Sequence, residues 1–376
     1  MIGTIIQVLP ALQQGGVERG TIEIAEALTK AGIPNCVISA GGKMVPELEK
    51  LGVEHITLPV QSKNPLKIWL NSYRLAKIFK EKQAALIHVR SRAPAWSVKW
   101  ACRRTGIPFI ASYHGRYGMK PAWFKKTYNR VMLAGLKVIA VSQFVQQHLI
   151  NDYQVSPDHI CLIPRGADIN KFNSDKITPE ELKDFIKTYD IPQGKPIIAL
   201  VGRMSRIKGH TVFLEALKQM KHHDLTILLV GGNPKSDYET ELQTKLKELP
   251  ADITVKMFSV SGDKVPLVYM VSDICVQPSL VPETFGRTIA EAQAMKRIVV
   301  AAAHGGACEL IEDGKSGILV PVGDSSALAK ALDKILDMSK TERETIGENA
   351  CKSVRTNYSI QKMCERTLAL YRELLK

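Results

Sequence analysis

The chain has 376 residues, enough for two domains of ordinary size, and its 45% hydrophobic and 23% charged residues are normal for a globular protein. No apolar run reaches the ~18 residues of a membrane-spanning helix, and the first residues lack a signal-peptide pattern. Seven cysteines without CxxC spacing argue against a disulfide framework and a cysteine-bound metal. We therefore expect a cytoplasmic protein with reduced thiols.

The net charge of +14 lies almost entirely in the first half of the chain. Residues 61–130 carry 16 Lys and Arg against one acid, Glu81, and contain all four tryptophans. Basic residues interleaved with Trp suit the headgroup layer of an anionic membrane, where each cation contributes about 1 kcal/mol. An acidic acceptor, a nucleic acid or a merely solvated face would give similar counts. Because no nucleic-acid-binding motif is present, we predict an anionic membrane surface as the partner and a location on the inner face of the cytoplasmic membrane.

The first feature in chain order is a short apolar run at residues 4–9, which predicts a buried parallel strand. Gly15 and Gly16 follow it, and then an amphipathic run at 22–28. Glycines let the backbone approach an anion, and a helix N-terminus faces that anion. Strand, loop and helix therefore predict a phosphate-binding unit, although the glycine pair alone would also fit an ordinary turn.

Strands continue to alternate with helical patterns along the first half. The further predicted strands lie at residues 36–40, 55–58, 85–89, 108–112, 138–141 and 160–164. This βαβ order predicts a doubly wound parallel sheet with helices on both faces. Ligands bind at the carboxyl ends of such strands, so the loop that carries His114 and Gly115 lies on the functional edge. A lone histidine is nevertheless more often structural.

Residues 173–195 are polar and predict a linker with one short helix. A near-continuous apolar strand at 196–201 then opens a second domain, followed by Arg203 and Lys208. Arg203 stands just beyond a strand end and Lys208 just before a helix at 211–220, so we expect both to converge on one pair of phosphates. A solvated loop would also carry such residues. The further predicted strands lie at 225–230, 253–258, 273–278, 298–302 and 318–320.

Two glutamates, Glu283 and Glu291, stand on either side of a Phe-Gly turn and the start of a helical run. At about 1.5 Å per residue their carboxylates are separated by roughly 12 Å, the span from sugar to ribose in a nucleotide diphosphate sugar. Between them the N–H groups of Phe285, Gly286 and Arg287 open the helix and form an anion site. The alternative is that Glu283 caps the helix and Glu291 is solvated. From residue 325 onward the pattern is helical, with a break at 357–359.

Glu283, seven intervening residues and Glu291 resemble the E-x7-E signature of the retaining glycosyltransferases of family 4, and the resemblance covers nearly the whole chain. It implies an α/β fold of the GT-B class: two Rossmann-like, doubly wound domains face each other across a cleft, and the C-terminal helix crosses back to the first domain. The domains predicted on this basis are 1–172 with 357–376, a linker at 173–195, and 196–356.

The resemblance also implies roles for individual residues. Glu291 would bind the ribose, Arg203 and Lys208 the diphosphate, and Glu283 the sugar hydroxyls. The implied catalytic residues are His114, Glu283, Arg203 and Lys208, and the implied donor-binding residues are Gly15, Gly16, Arg203, Lys208, Phe285, Gly286, Arg287 and Glu291. No metal or other cofactor is expected, because cations and helix N-termini can neutralise a leaving diphosphate.

The segment that begins at Ile163 resembles the family's IPNGVD motif but carries Arg165 where asparagine is usual. A cation at this position would add either to diphosphate binding or to contact with the acceptor. The departure from the family pattern leaves both roles open.

Taken together, the residues and the resemblance predict a retaining glycosyltransferase. It would move a hexose of mannose or glucose type from a nucleotide diphosphate sugar to a hydroxyl of a lipopolysaccharide-core or other envelope glycan. Two other classes remain: a nucleotide-sugar epimerase of similar architecture, and a non-catalytic protein that binds membrane surfaces. A dehydrogenase is disfavoured, because neither glycine loop matches G-x-G-x-x-G with a downstream acid.

Overall fold

The computed structural model describes residues 3–13, 15–115, 122–231 and 237–376, with the backbone alone at 122–125. The chain divides into two compact units. The first unit comprises Met1–Arg165 and Gln361–Lys376, and the second comprises Gly166–Ile360.

The first unit is built on a parallel sheet of seven strands over its described residues. The strands are β1 (Thr4–Val8), β2 (Asn35–Ser39), β3 (Glu54–Thr57), β4 (Ala84–Val89), β5 (Phe109–Tyr113), β6 (Val138–Ala140) and β7 (Ile160–Leu162). Their spatial order is β3-β2-β1-β4-β5-β6-β7. The order reverses between β1 and β4, and such a switch point is where ligands bind in open α/β sheets.

Helices cover both faces of this sheet, which is why its strands other than β3 are largely apolar. They are α1 (Gly16–Lys30), α2 (Val45–Lys50), α3 (Pro65–Glu81), α4 (Arg92–Thr105), α5 (Ala122–Asn129) and α6 (Gln143–Tyr153). One core layer contains Ile6 and Phe79, and the layer on the other face contains Ile22 and Val37. At the start of α6 the Ser142 hydroxyl accepts a hydrogen bond from a backbone N–H at 3.2 Å, as expected of an N-cap.

The second unit repeats this plan with a parallel sheet of six described strands. They are β8 (Ile197–Val201), β9 (Leu225–Val230), β10 (Ile253–Phe258), β11 (Ile274–Gln277), β12 (Ile298–Ala302) and β13 (Ile318–Val320), in the order β10-β9-β8-β11-β12-β13. The switch point lies between β8 and β11. The helices before residue 311 are α7 (Pro179–Thr188), α8 (His210–Leu217), α9 (Asp237–Leu246), α10 (Val265–Val271), α11 (Arg287–Ala294) and α12 (Ala307–Leu310).

The polar segment at 173–195 contains α7, whose start is a capping box formed by Thr178 and Glu181. Phe185 and Ile191 of this segment are buried in the core of the second unit. The segment therefore packs as part of that unit.

The helical C-terminal region forms three helices: α13 (Ser325–Asp337), α14 (Lys340–Asn357) and α15 (Ile360–Leu374). The break before α14 was not predicted, although Ser339 and Glu342 form a capping box whose S-x-x-E signal is visible in the sequence. Within the first unit, the Tyr371 hydroxyl lies 2.5 Å from His88 Nδ1. The predictions of two doubly wound domains and of a final helix that returns to the first are thus confirmed.

Within the described ranges, no helix combines the length and the apolar character needed to cross a bilayer. All seven cysteines fall in these ranges, and none forms a disulfide.

Candidate functional site

The switch point of the second sheet brings together a cation and an acid that are 75 positions apart in the chain. Lys208 ends a 3₁₀ turn after β8, and Glu283 lies in the loop after β11. Lys208 Nζ donates to Glu283 Oε1 at 2.5 Å, and Ser279 Oγ donates to the same oxygen at 3.0 Å. The Lys208 side chain is 13% exposed and that of Glu283 27%, so this ion pair is screened less than a surface pair.

Glycines allow the loops around this pair to approach one another closely. A Cβ at Gly209, where φ is +72°, would lie 1.8 Å from the carbonyl oxygen of Pro278. A Cβ at Gly305 would lie 2.4 Å from Glu283 O, and the N–H of Gly306 donates to that oxygen at 2.7 Å. Any side chain at Gly209 or Gly305 would push the backbone that carries Glu283 out of place.

Helix α11 starts directly after this loop. Gly286, with φ of +92°, is its N-cap, and no side chain in the described ranges caps the helix. Phe285 is buried and its ring centroid lies 5.9 Å from that of Tyr358, which anchors the loop. The N–H groups of the first turn therefore remain open to an anion. The interpretation of Glu283 as the helix cap is wrong.

Glu291 lies one turn into α11 and is mostly buried, with 12% of its side chain exposed. Arg287 Nε donates to one carboxylate oxygen at 3.4 Å, and the Tyr269 hydroxyl donates to the other at 3.5 Å. Burial raises the pKa of Glu291, and the charges of Arg287 and Lys171 oppose that shift. The alternative of a solvated Glu291 is therefore wrong.

Arg203 is exposed in the loop after β8 and forms no salt bridge within the described part of the chain. The contacts of Lys208 are to Glu283, so the expected convergence of Arg203 and Lys208 stays a prediction. Nearby Arg206 is engaged elsewhere: it pairs with Glu241 at 2.5 Å.

The predicted residues of the first unit lie at the carboxyl edge of its own sheet. Gly15 is the N-cap of α1, Gly16 is its first residue, and His114 directly follows β5. Buried Arg165 joins them, because its guanidinium donates to Gly16 O and lies 3.4 Å from His114 Nδ1. The sequence singled out Arg165 only as a departure from a family motif and did not place it between these two loops.

His304 was assigned no role from its position in the sequence. Both of its ring nitrogens are buried and lack a hydrogen-bond partner among the residues that the structure describes. It immediately precedes Gly305, whose backbone packs against Glu283. Buried polar atoms of this kind are usually satisfied by a ligand or by water. The only signal in the sequence was a polar side chain beside a glycine pair.

Over the described residues, no group of three or more His, Cys, Asp and Glu side chains is arranged to hold a metal ion. The site in the second unit offers a lysine, two carboxylates and a helix N-terminus. This set suits a ligand that combines phosphate with hydroxyl groups.

Two family models match consecutive parts of the chain: Glycosyltransferase Family 4 at residues 14–171 and Glycosyl transferases group 1 at residues 183–353. The crystal structure of a glycosyltransferase from Rickettsia africae ESF-5 is 40% identical, with a TM-score of 0.93, over 100% of this chain and 99% of that one. Anabaena Alr3699/HepE in complex with UDP-glucose is 23% identical over 98% of this chain and 99% of that one, with a TM-score of 0.83. The second likeness shows a shared fold.

Among curated proteins, the D-inositol 3-phosphate glycosyltransferase of Corynebacterium kroppenstedtii is 34% identical over 223 residues. The match covers 57% of this chain and 48% of that protein, so this chain spans about half the length of that relative. Together with the two parallel sheets, the structural likenesses confirm the predicted GT-B fold class of two Rossmann-like domains.

Proposed function

This chain belongs to the glycosyltransferases, and on that premise we propose that it is a retaining enzyme that transfers a hexose from a nucleotide diphosphate sugar. The hexose is of glucose or mannose type, and the acceptor is a hydroxyl of a lipopolysaccharide-core or other envelope glycan. The observation that carries the proposal is the contact between Lys208 and Glu283 just before the start of α11. A cation, a carboxylate and a helix N-terminus in this order suit a diphosphate joined to a sugar.

In this proposal the second unit holds the donor. The Lys208 ammonium has three N–H donors, so it can keep its bond to Glu283 and still donate to a phosphate oxygen. Both hydrogen bonds to Glu283 from Lys208 and Ser279 go to Oε1, so Oε2 is the oxygen offered to a sugar hydroxyl. Glu291 accepts from the ribose hydroxyls, and exposed Arg203 moves onto the diphosphate.

The first unit contributes the loops at the carboxyl edge of its sheet. Gly15 and Gly16 place the open backbone at the start of α1 against the diphosphate and the acceptor, and His114 contacts the donor sugar. In the second unit, the backbone of Phe285, Gly286 and Arg287 faces the diphosphate. These roles follow the family resemblance.

The proposed reaction is a front-face displacement. The acceptor oxygen forms its bond to the anomeric carbon on the side from which the nucleoside diphosphate departs, which retains the configuration. The bond from the anomeric carbon to the phosphate oxygen breaks with its electron pair, and the acceptor proton passes to a leaving phosphate oxygen. Glu283 orients the sugar and does not attack. Lys208, Arg203 and the start of α11 neutralise the charge that develops on the leaving group, so we propose that no metal or other cofactor takes part.

Thermal shift with a panel of UDP-, GDP- and ADP-hexoses tests the donor first. UDP-glucose heads the panel because HepE was crystallised with it. A ligand at 100 times its Kd adds about 2.7 kcal/mol to stability, which a thermal scan detects easily. EDTA should leave the transfer rate unchanged.

Substitution at the ion pair then tests the site. Lys208→Ala and Glu283→Ala should each lower transfer by about 100- to 1,000-fold, the effect of removing one group that stabilises charge in a transition state. Lys218→Ala is the matched control, because Lys218 forms a 2.6 Å ion pair with Glu248 on the surface of the same unit. Unchanged transfer in either site variant would contradict the assignment.

The same assays separate the two other classes. An epimerase would convert the donor alone into a product of equal mass, without any acceptor. A non-catalytic membrane-binding protein would show neither donor binding nor transfer.

We further propose that the protein docks on an anionic membrane through the exposed face of α3. Leu66, Trp69, Leu70 and Tyr73 follow the i, i+3, i+4, i+7 spacing of one helix stripe, and each is at least 40% exposed. The opposite stripe, which includes Ile68 and Leu75, is buried in the first unit, so the outer stripe needs another partner.

The surrounding charge supports an anionic lipid surface as that partner. Lys63, Lys67, Arg74, Lys77 and Lys80 are exposed around the stripe, and Arg104 of α4 stacks over the Tyr73 ring at 4.1 Å. An apolar and aromatic stripe framed by cations matches the interface of an anionic bilayer. The docked enzyme would work at the inner face of the cytoplasmic membrane. Within 61–130, residues 116–121 and the side chain of Trp123 lie outside the described part of the structure.

A further inference from the structure

We infer that Arg165 is a positioning residue, which fixes His114 as a neutral imidazole with its proton on Nε2 and aims that N–H at the ligand. The inference rests on the proposed function only in its last step, the use of the N–H by a ligand. The geometry of the first unit carries the rest.

A guanidinium group has only donors, and this decides the tautomer. Arg165 Nη2 lies 3.4 Å from His114 Nδ1, so Nδ1 must be the acceptor of that hydrogen bond. A neutral ring that accepts at Nδ1 carries its proton on Nε2. Nε2 is buried and has no partner within the described residues, so its N–H is available to an acceptor that enters the site.

The position of Arg165 is itself fixed by two glycines one helical turn apart on α1. A Cβ at Gly16 would lie 3.1 Å from Arg165 Nη1, and a Cβ at Gly20 would lie 3.0 Å from Arg165 Nη2. Arg165 also donates to the carbonyl oxygen of Gly16. The side chain is 9% exposed. The glycines thus form a slot that holds the guanidinium between α1 and the loop after β5.

The surroundings also keep the ring neutral. The charged and titratable groups that act on His114 are Arg165 after β7, Arg90 after β4, and His88 within β4. Burial, with these groups, holds the pKa of His114 well below its ordinary value. A doubly protonated ring would place an N–H at Nδ1 against the donors of Arg165, so protonation would break the contact.

Under this assignment, Arg165 acts on His114 differently from the asparagine that is usual at this position of the family motif. An asparagine amide can donate or accept, so it would leave either tautomer of His114 open. Arginine can only donate. The chain therefore presents His114 to the ligand as a hydrogen-bond donor over the whole physiological pH range.

Nuclear magnetic resonance of the full-length protein with ¹⁵N-labelled histidine tests this directly, with the His114 signals assigned by their loss in His114→Gln. We expect His114 to stay in the Nε2–H form from pH about 5 to about 8. In Arg165→Met, which keeps the length and removes the donors, the Nδ1–H form should appear, and the pKa of the ring should rise from its wild-type value while burial still holds it below the ordinary one. Arg165→Lys, still a donor, should retain the Nε2–H form.

Gly20→Ala provides a second route, because its Cβ would lie 2.9 Å from Arg90 Nη2 and 3.0 Å from Arg165 Nη2 and would shift both guanidinium groups without altering Arg165 or His114 themselves. In Gly20→Ala the Nδ1–H form of His114 should appear, as in Arg165→Met. A wild-type ring protonated on Nδ1 would overturn the inference. So would an unchanged tautomer in folded Arg165→Met or, should that variant not fold, in Gly20→Ala.

Transfer assays add the functional readout. Arg165→Met should lower kcat/KM by about tenfold, the worth of one hydrogen bond. An absence of transfer in the wild type would defeat the proposed function and leave the tautomer result standing, so the two failures are distinguishable.

Discussion

Glu291 places a carboxylate where little water reaches it, at a cost to the stability of the free protein. Its pKa is raised by burial, and Arg287 and Lys171 offset only part of that shift. Because the pKa of Glu291 is higher in the folded than in the unfolded state, protonation of this group stabilises the fold at pH values below the unfolded-state pKa of about 4.3. That stabilisation is lost as the pH rises through the folded-state pKa. At neutral pH the ionised group therefore weakens the fold, which is expected of a residue kept for a ligand.

Glu291→Gln should consequently raise the melting temperature of the ligand-free protein at pH about 7 and weaken donor binding by about 10- to 100-fold, the worth of a hydrogen bond to a charged group. Wild-type affinity should fall as pH drops through the raised pKa, because the protonated acid accepts poorly from the ribose. The variant should bind with little dependence on pH. Calorimetric titration across pH with UDP-glucose measures both. Equal affinities of wild type and variant would contradict the ribose role.

At the scale of elements, apolar runs located the strands well because parallel strands buried on both faces are apolar throughout. The runs at 225–230, 253–258, 298–302 and 318–320 coincide with β9, β10, β12 and β13. The other predicted strands differ at an end by one or two residues, because hydrogen bonding and not hydrophobicity sets the boundary. The contact of Arg165 with Gly16 spans 149 positions and depends on strand order, so it could not be predicted from composition or periodicity. Likewise, the sequence paired Lys208 with Arg203, and strand order placed it against Glu283.

The turn before α8 illustrates how one element sets the site. At Gly209 a Cβ would collide with Pro278 O, whereas Gly314 has nearly the same φ, +75°, with nothing within 4 Å. Gly314→Ala therefore measures the backbone strain alone, about 1 kcal/mol, and Gly209→Ala adds the collision. We expect Gly209→Ala to lower stability by about 3 kcal/mol or more and to weaken donor binding, since Pro278 leads into the Glu283 loop. Similar melting temperatures for the two variants would show that the loops adjust freely.

At the scale of the whole molecule, charge and chemistry are divided between the two units. Residues 1–172 carry 23 of the 51 Lys and Arg but only 10 of the 37 Asp and Glu. The glutamates and cations proposed to hold the donor lie in the second unit, while the exposed basic and aromatic face belongs to the first. This division was visible in the sequence, because charge counts need no fold. The sequence did not show which of the apolar residues in 61–130 are buried, because α3 carries apolar stripes on opposite sides.

The outer stripe yields a prediction that separates membrane docking from a solvated face. Trp69→Ser with Leu70→Ser should reduce binding to phosphatidylglycerol vesicles by at least about tenfold, because each buried apolar side chain contributes about 1.5–3 kcal/mol. Leu136→Ser is the matched control: Leu136 is 48% exposed, as Trp69 is 45%, but lies outside α3. Wild-type binding should weaken at 1 M salt, where the Debye length falls to about 3 Å, and phosphatidylcholine vesicles should bind poorly throughout. Equal binding to both lipids, or an equal loss in the Leu136 control, would mean that this face is not the docking surface.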